Sequence, residues 1–445
     1  GFNCDGPDPK WYDQKKTWLG EVVGRLFHTN PTVKTTKQIV IVGAGFFGLE
    51  FAQHMADLLD DPAVDVSVTI VDRKSTMMIG ANFQFVLTRR KDWADITLDL
   101  NKARLHKNIK RRFNTEVLAV DPANKTIRIR SSADGATEEE LPYDYLYLVP
   151  GVVEYPERVP GLVESGALSI CNPAHTEKLR AAVEGCKGGE TIVMTINRMP
   201  YKCPPAPFEL ILLIEEMLSV RKTREGSRII LTSPKPFPFG NEKVKTIFLG
   251  TLKNAGIEYL APYSPSKYDA DAKTVTLERV GDDGGDSEAQ TQVLKYDVLV
   301  SVFPQGAPKF CSALCSKKGF VPADVLTTAT SHDGIFCAGD AAWMTLPRTP
   351  PKPHPKAGAF GLQVSANAAT AISHLVRGGT MEEVKERVSP KRVSFCYAES
   401  GYGKGILINP KLLPDDDGPA GFNCDGPDPK WYDQKKTWLG EVVGR

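Results

Sequence analysis

An excess of charge of either sign is missing from this chain. Lys and Arg number 55 and Asp and Glu 54 across 445 residues. No net field favours a polyanion, so no nucleic-acid partner is expected. Long hydrophobic runs are missing too. No apolar stretch reaches the ~20 residues that span a bilayer, which leaves any membrane contact peripheral. The nine cysteines stand at 4, 171, 186, 203, 311, 315, 337, 396 and 424, with no CxxC pair. Their scatter suits neither a zinc site nor a small disulfide scaffold, and no metal is expected. CxxCH is absent, so a haem would need a separate subunit. The chain begins without Met and without a signal-peptide pattern. It reads as a mature form or a fragment, with no compartment written in it. What remains is an ordinary globular composition, long enough for two or three domains.

One segment stands twice. Residues 1–25 recur identically at 421–445. Two copies at the ends make no solenoid, which needs at least three stacked units. Either one long unit is encoded in tandem or one copy is extraneous. In the second copy Trp431, Trp438, Leu439, Val442 and Val443 share a helical face, with Lys430, Asp433, Lys436 and Glu441 mostly elsewhere. Such a helix suits a membrane-interface anchor or a docking helix. It suits equally a terminal helix packed on its own domain.

Residues 38–50 read QIVIVGAGFFGLE. An apolar strand runs into Gly43, Gly45, Phe46 and Gly48, and then a helix. The first glycine permits the turn and the second lets backbone approach a pyrophosphate at the helix N-terminus; the third lets helix and strand pack closely. A second strand, VSVTIVD at 66–72, ends in Asp72, placed to take ribose hydroxyls. Far downstream, GIFCAGDA at 334–341 carries Gly339 and Asp340 at the end of another short apolar strand, where an Asp can bond a flavin's ribityl and phosphate part. One dinucleotide-binding domain is then split by an inserted one. That arrangement resembles the pyridine nucleotide–disulfide oxidoreductase type of flavoprotein. The inserted domain's strand, ETIVMTIN at 190–197, runs into RMPYKCPPAP with no second GxGxxG. A turn of prolines and a cysteine cannot cradle a pyrophosphate in the usual way, so NAD binding is expected to be lost there.

The prolines around Cys203 leave that thiol little freedom. Here the chain resembles the sulfide:quinone oxidoreductases and the flavoprotein subunit of flavocytochrome c sulfide dehydrogenase, over roughly residues 37–414. The segments that carry the likeness are YKCPPAPFE (201–209), SICNPAH (169–175), NFQFV (82–86), PKAGAF (355–360) and VSFCYAESGYGKGILINPKLLP (393–414). The resemblance implies a redox pair, Cys203 and Cys396, and a further working thiol, Cys171. It implies proton relay by Glu209, which as a plain reading is also an acid favoured at a helix N-terminus. His175 is expected to assist sulfide entry, though it reads equally as a surface or core histidine, and Lys356 to face the flavin's pyrimidine end, with a solvated lysine as the plainer reading. Cys311, Cys315, Cys337 and Cys186 read as ordinary core or loop thiols. Two departures stand out. STMMIGANFQF (75–85) has no cysteine where the flavocytochrome attaches its flavin, so FAD held without that bond is expected. Phe239 stands where the quinone enzyme has a second histidine.

The expected fold is α/β, with two Rossmann-like dinucleotide-binding domains. Residues 1–36 form an extension, 37–150 and 301–385 the two parts of an FAD domain, and 151–300 an inserted NAD-like domain without a glycine fingerprint. Residues 386–445 hold the late redox cysteine and the amphipathic helix. The expected activity is FAD-dependent oxidation of sulfide through a Cys203/Cys396 sulfur bridge, with electrons passed to quinone. Two alternatives stand beside it: delivery to a cytochrome subunit, and a non-catalytic flavoprotein subunit of a larger assembly. Peripheral membrane association, organellar or periplasmic, accompanies the leading reading, and the oligomeric state is left open.

Overall fold

The computed structural model describes residues 36–131, 137–281 and 290–443. The first copy of the repeated segment lies outside them. The chain opens on β1 (Thr36–Val42), whose apolar run turns at Gly43 into α1 (Phe46–His54). Then come β2 (Asp65–Val71), β3 (Lys110–Arg112) and β4 (Tyr145–Leu148). A second series follows: β5 (Leu168–Ser169), α2 (Pro173–Gly185), β6 (Thr191–Ile196), α3 (Ala206–Val220), β7 (Arg228–Thr232), α4 (Glu242–Asn254), β8 (Glu258–Leu260) and β9 (Val298–Val302). After it the chain returns with β10 (Ile335–Cys337) and α5 (Gly361–Val376).

Two five-stranded sheets result, in the orders β10-β4-β1-β2-β3 and β5-β9-β6-β7-β8. Every pairing in both is parallel. Parallel strands are buried on both faces, which is why β1, β6 and β9 read as continuous apolar runs rather than alternating ones. The first sheet takes β10 from beyond the second sheet's last strand, so it is interrupted by the second, as the two remote nucleotide signals required. The α/β class and the paired Rossmann-like cores agree with the sequence.

A third sheet ends the described chain. Strands β11 (Cys396–Gly401), β12 (Lys404–Lys411) and β13 (Gly421–Asp428) form an antiparallel sheet, followed by α6 (Pro429–Val443). Helix α3 is apolar nearly all round because it is covered twice. Phe208, Ile211 and Leu212 share one core with Ile192 and Val300 of the second sheet and with Ala398, Ile406 and Cys424 of the third. The helix of the repeated segment packs on the protein itself. Trp431 and Leu439 are buried, and Trp438 is half-buried against a core containing Phe85. Of the three readings of this helix, packing on its own domain describes Trp431 and Leu439. Among the described residues no helix is long and apolar enough to cross a membrane.

Candidate active site

The first sheet reverses its strand order between β1 and β4, which opens a crevice at their C-terminal ends. Gly43 sits there with φ +106°, and a Cβ on it would lie 2.3 Å from the Val149 carbonyl oxygen. A Cβ on Gly48 would lie 1.8 Å from the Gly43 carbonyl oxygen, so α1 can approach the turn only with glycine at that place. Gly45 is different: a Cβ there would meet nothing within 4 Å, and the residue faces the crevice. The α1 N-terminus has no side-chain cap and no acid in its first turn, leaving its N–H groups and dipole for an anion. Asp72 holds the loop, accepting from the Ala44 N–H at 2.8 Å and the Lys74 N–H at 2.9 Å.

The crevice belongs to a cavity of about 3230 Å³ walled by all three layers. Phe46, Gly339, Asp340 and Lys356 line it, together with Cys171, Cys203, Glu209 and Cys396. It exceeds the ~300–1,000 Å³ of a drug-sized pocket and has room for an extended dinucleotide with substrate beside it. These donors and this open loop fit FAD. Lys356 is less free than its sequence position implied. Its Nζ donates to the carbonyls of Asp340 (2.6 Å) and Ala342 (2.7 Å) and lies over the Phe320 ring. Burial lowers its pKa to about 8, against the pull of Asp340. Asp340 is itself raised by burial, with Lys202 and Lys356 opposing.

Cys203 ends a loop that docks on the segment before α5. Its N–H donates to the Lys356 carbonyl at 2.8 Å, and Lys202 forms a bridge with Lys356. Cys203 has φ +55°, left-handed for a non-glycine residue. That conformation costs roughly 1–2 kcal/mol and persists only where the surroundings impose it. Helix α3 starts just beyond, at Ala206. Among the described residues no glycine-rich turn replaces the missing phosphate cradle at the end of β6.

Cys203 and Cys396 are free thiols within electrostatic reach of one another. Burial raises the Cys203 thiol well above its usual range; Cys396, Glu209 and Cys171 add to this and Lys435 opposes it. Cys396 is pushed up to about 12 by burial and Glu209, again with Lys435 opposing. Cys171 is pushed up to about 11 by burial, which Lys202 counters. Gln305 links two of the cysteine segments: its Nε2 donates to Cys171 Sγ at 3.5 Å, and its Oε1 accepts from the Lys202 N–H at 2.9 Å.

Glu209 is buried in the first turn of α3. Its Oε1 accepts from the Glu399 N–H at 2.8 Å and from Lys435 Nζ, and its Oε2 from Gln84 at 2.7 Å. Burial and the Glu399 carboxylate raise its pKa despite Lys435. His175 is not brought to the cavity wall. Its Nδ1 accepts the Ser169 N–H at 2.8 Å, a local structural bond, so a part in sulfide entry finds no support in its position. Phe239 does line the cavity, within an aromatic cluster of Phe208, Phe237 and Phe248. Sequence reading missed Lys202, Gln305, Glu399 and Lys435. For Lys435 a signal existed: it falls on the same helical face as Trp431 and Leu439, an unpaired charge on an apolar stripe. Among the described residues no cluster of His, Cys, Asp and Glu can hold a metal.

Residues 37–193 match the pyridine nucleotide–disulphide oxidoreductase family model. Residues 176–291 match the central region of the sulfide dehydrogenase [flavocytochrome c] flavoprotein chain. The chain is similar to the mitochondrial sulfide:quinone oxidoreductase of Dictyostelium discoideum, 24% identical over 219 residues, which are 47% of each protein. That match therefore spans about half the length of the curated relative. The corresponding protein of Schizosaccharomyces pombe is 22% identical over 410 residues, 84% of this chain and 80% of that one. In structure the chain resembles the sulfide:quinone oxidoreductase of Aquifex aeolicus, with TM-score 0.71 and 16% identity over 91% of this chain and 90% of that one.

Proposed function

Because the chain belongs to the sulfide:quinone oxidoreductase and flavocytochrome c sulfide dehydrogenase flavoprotein family, among the pyridine nucleotide–disulfide oxidoreductase-like flavoproteins, we propose that it oxidises sulfide at Cys203 and Cys396 and passes the electrons to a quinone. One observation carries the reading. Two thiols far apart in sequence, one on the proline loop before α3 and one opening β11, line the same cavity as the glycine turn of the first sheet. FAD, when bound, supplies the two-electron acceptor that neither thiol can be.

The chain's own residues account for the sulfur chemistry. Hydrosulfide attacks the Cys203–Cys396 bridge of the oxidised protein, forming one S–S bond and breaking another. One cysteine becomes a persulfide and the other leaves as thiolate. Closure of that pair to a trisulfide releases one proton and two electrons. FAD, when bound, would take up the electrons, and Glu209, the carboxylate that acts on both thiols, would be the acceptor for the proton. Cys171, steadied by Gln305 and Lys202, is the third thiol open to the cavity and a second seat for sulfane sulfur.

A second reading keeps this chemistry and delivers the electrons to a haem partner. The match of residues 176–291 to the flavocytochrome flavoprotein favours it. Anaerobic addition of sulfide to the FAD-loaded protein is expected to bleach the flavin, whereas NADH leaves it oxidised. Reoxidation by a short-chain quinone rather than by cytochrome c supports the first reading, and the reverse supports the second. A flavin that ignores sulfide sinks both.

A further inference from the structure

Beside the redox thiols lies a buried charge cluster built from four remote parts of the chain. Lys435 of α6 is 3% exposed. Its Nζ is paired with Glu209 Oε1 on α3 and, at 3.0 Å, with Glu399 Oε1 on β11. Glu399 Oε2 accepts from Arg90 at 2.6 Å, and Arg90 reaches on to Glu216 at 2.8 Å. Phe85 lies under the Lys435 ammonium at 5.1 Å and helps to close the site from water. Three carboxylates thus face two cations. Without Lys435 they would face one, and Lys435 and Glu209 line the same cavity as Cys203 and Cys396. Burial works against the Lys435 charge, but Glu209 and Glu399 outweigh it and keep the ammonium charged.

We propose that Lys435 is a positioning residue of the redox site: its ammonium fixes the Glu209 carboxylate in place and supplies the positive charge against which the Cys203 and Cys396 thiolates form. The inference rests on the reading of those two thiols as the redox pair. The thiolate is the nucleophile and the leaving group in sulfur exchange, so the field at the pair sets how much of it exists. The groups within reach of the pair are unequal. Glu209 acts against ionisation at both thiols, Cys171 acts against it at Cys203, and Lys435 favours it at both. Tyr201 and Tyr397, also in reach, are themselves raised by burial and stay neutral. Lys202 acts most strongly on Cys171 and less on Cys203, and Lys435 is not among the groups that chiefly set Cys171. The residue that does this for the redox pair comes from the segment that the chain carries twice.

The test is thiol alkylation by iodoacetamide in the reduced, FAD-containing full chain, followed for each cysteine by mass spectrometry from neutral to alkaline pH. In Lys435→Met the profiles of Cys203 and Cys396 are expected to move up by about one pH unit, with alkylation about tenfold slower below the midpoint. Cys171 should not move, and Lys435→Arg should restore the wild-type profiles. Unmoved profiles at Cys203 and Cys396, or all three thiols moving together, would overturn the inference. Should Lys435→Met fail to fold, Glu399→Gln reads the same field with opposite sign. Freed of one carboxylate, Lys435 should lower both midpoints, and unchanged midpoints overturn the inference again. A wild-type flavin that ignores sulfide defeats the proposed function and leaves these profiles standing. Profiles indifferent to Lys435 defeat this inference alone.

Discussion

His354 shows how strongly single residues are bent by this cavity. Its ring is buried, set edge-on to Phe360 at 4.9 Å, with Nδ1 at 2.9 Å from the Pro355 carbonyl. Burial first, and then Arg392 and Lys356, push its pKa down to about 3 against the Pro355 carbonyl. In the unfolded chain the same imidazole takes its proton near 6.5. Between those values the unfolded state binds more protons, so stability is lost as pH falls through the unfolded value. Between pH 7 and pH 5 this group alone removes about 2 kcal/mol. His354→Gln should therefore show a smaller drop in thermal midpoint over that interval than the wild type, and an equal drop would contradict the assignment. Cys203 and Cys396 show the same force with the opposite remedy. Burial raises them, and a cation placed beside them brings them part of the way back.

Among the elements, α6 matters most, and of its readings packing on its own domain is the one the structure displays. Trp431 seats it: the side chain is 9% exposed, stacks on Tyr397 at 6.1 Å and donates to Asp425 at 2.9 Å. Trp431→Ala should cost about 3–5 kcal/mol of local stability and loosen the helix that carries Lys435. Faster hydrogen exchange over 429–443 and a lower thermal midpoint would register it, and wild-type exchange there would count against this packing. The contrast with α1 explains what could be read in the chain. Gly43, Gly45 and Gly48 are local signals on one strand–turn–helix unit, and Asp72, at the end of the next strand, bonds back to that turn. Glu209, Glu399 and Lys435 meet only because α3, β11 and α6 pack together, with 190 positions separating the first two and 226 the first and last. No local periodicity carries that meeting. The tryptophans of α6 pointed to an apolar face but not to what covers it, and His175 resembled a site residue in sequence while serving a backbone bond in space.

At the scale of the whole molecule, the first sheet supplies a nucleotide crevice and the second supplies a loop where its own crevice would have been. The third layer closes the cavity with a strand bearing Cys396 and a helix bearing Lys435. The division of labour follows from the interrupted first sheet. The β1 glycine turn and the proline loop with Cys203 line one cavity, so the inserted unit presents a thiol where a second glycine turn would have stood.

The most direct measurement is anaerobic stopped-flow reduction of the flavin by sulfide in the wild type and in Cys203→Ser. The wild type should bleach. The variant should keep its FAD and stay yellow at the same sulfide concentration. Bleaching of Cys203→Ser at the wild-type rate would contradict the account, because sulfur exchange at Cys203 would then be dispensable for moving electrons into the flavin.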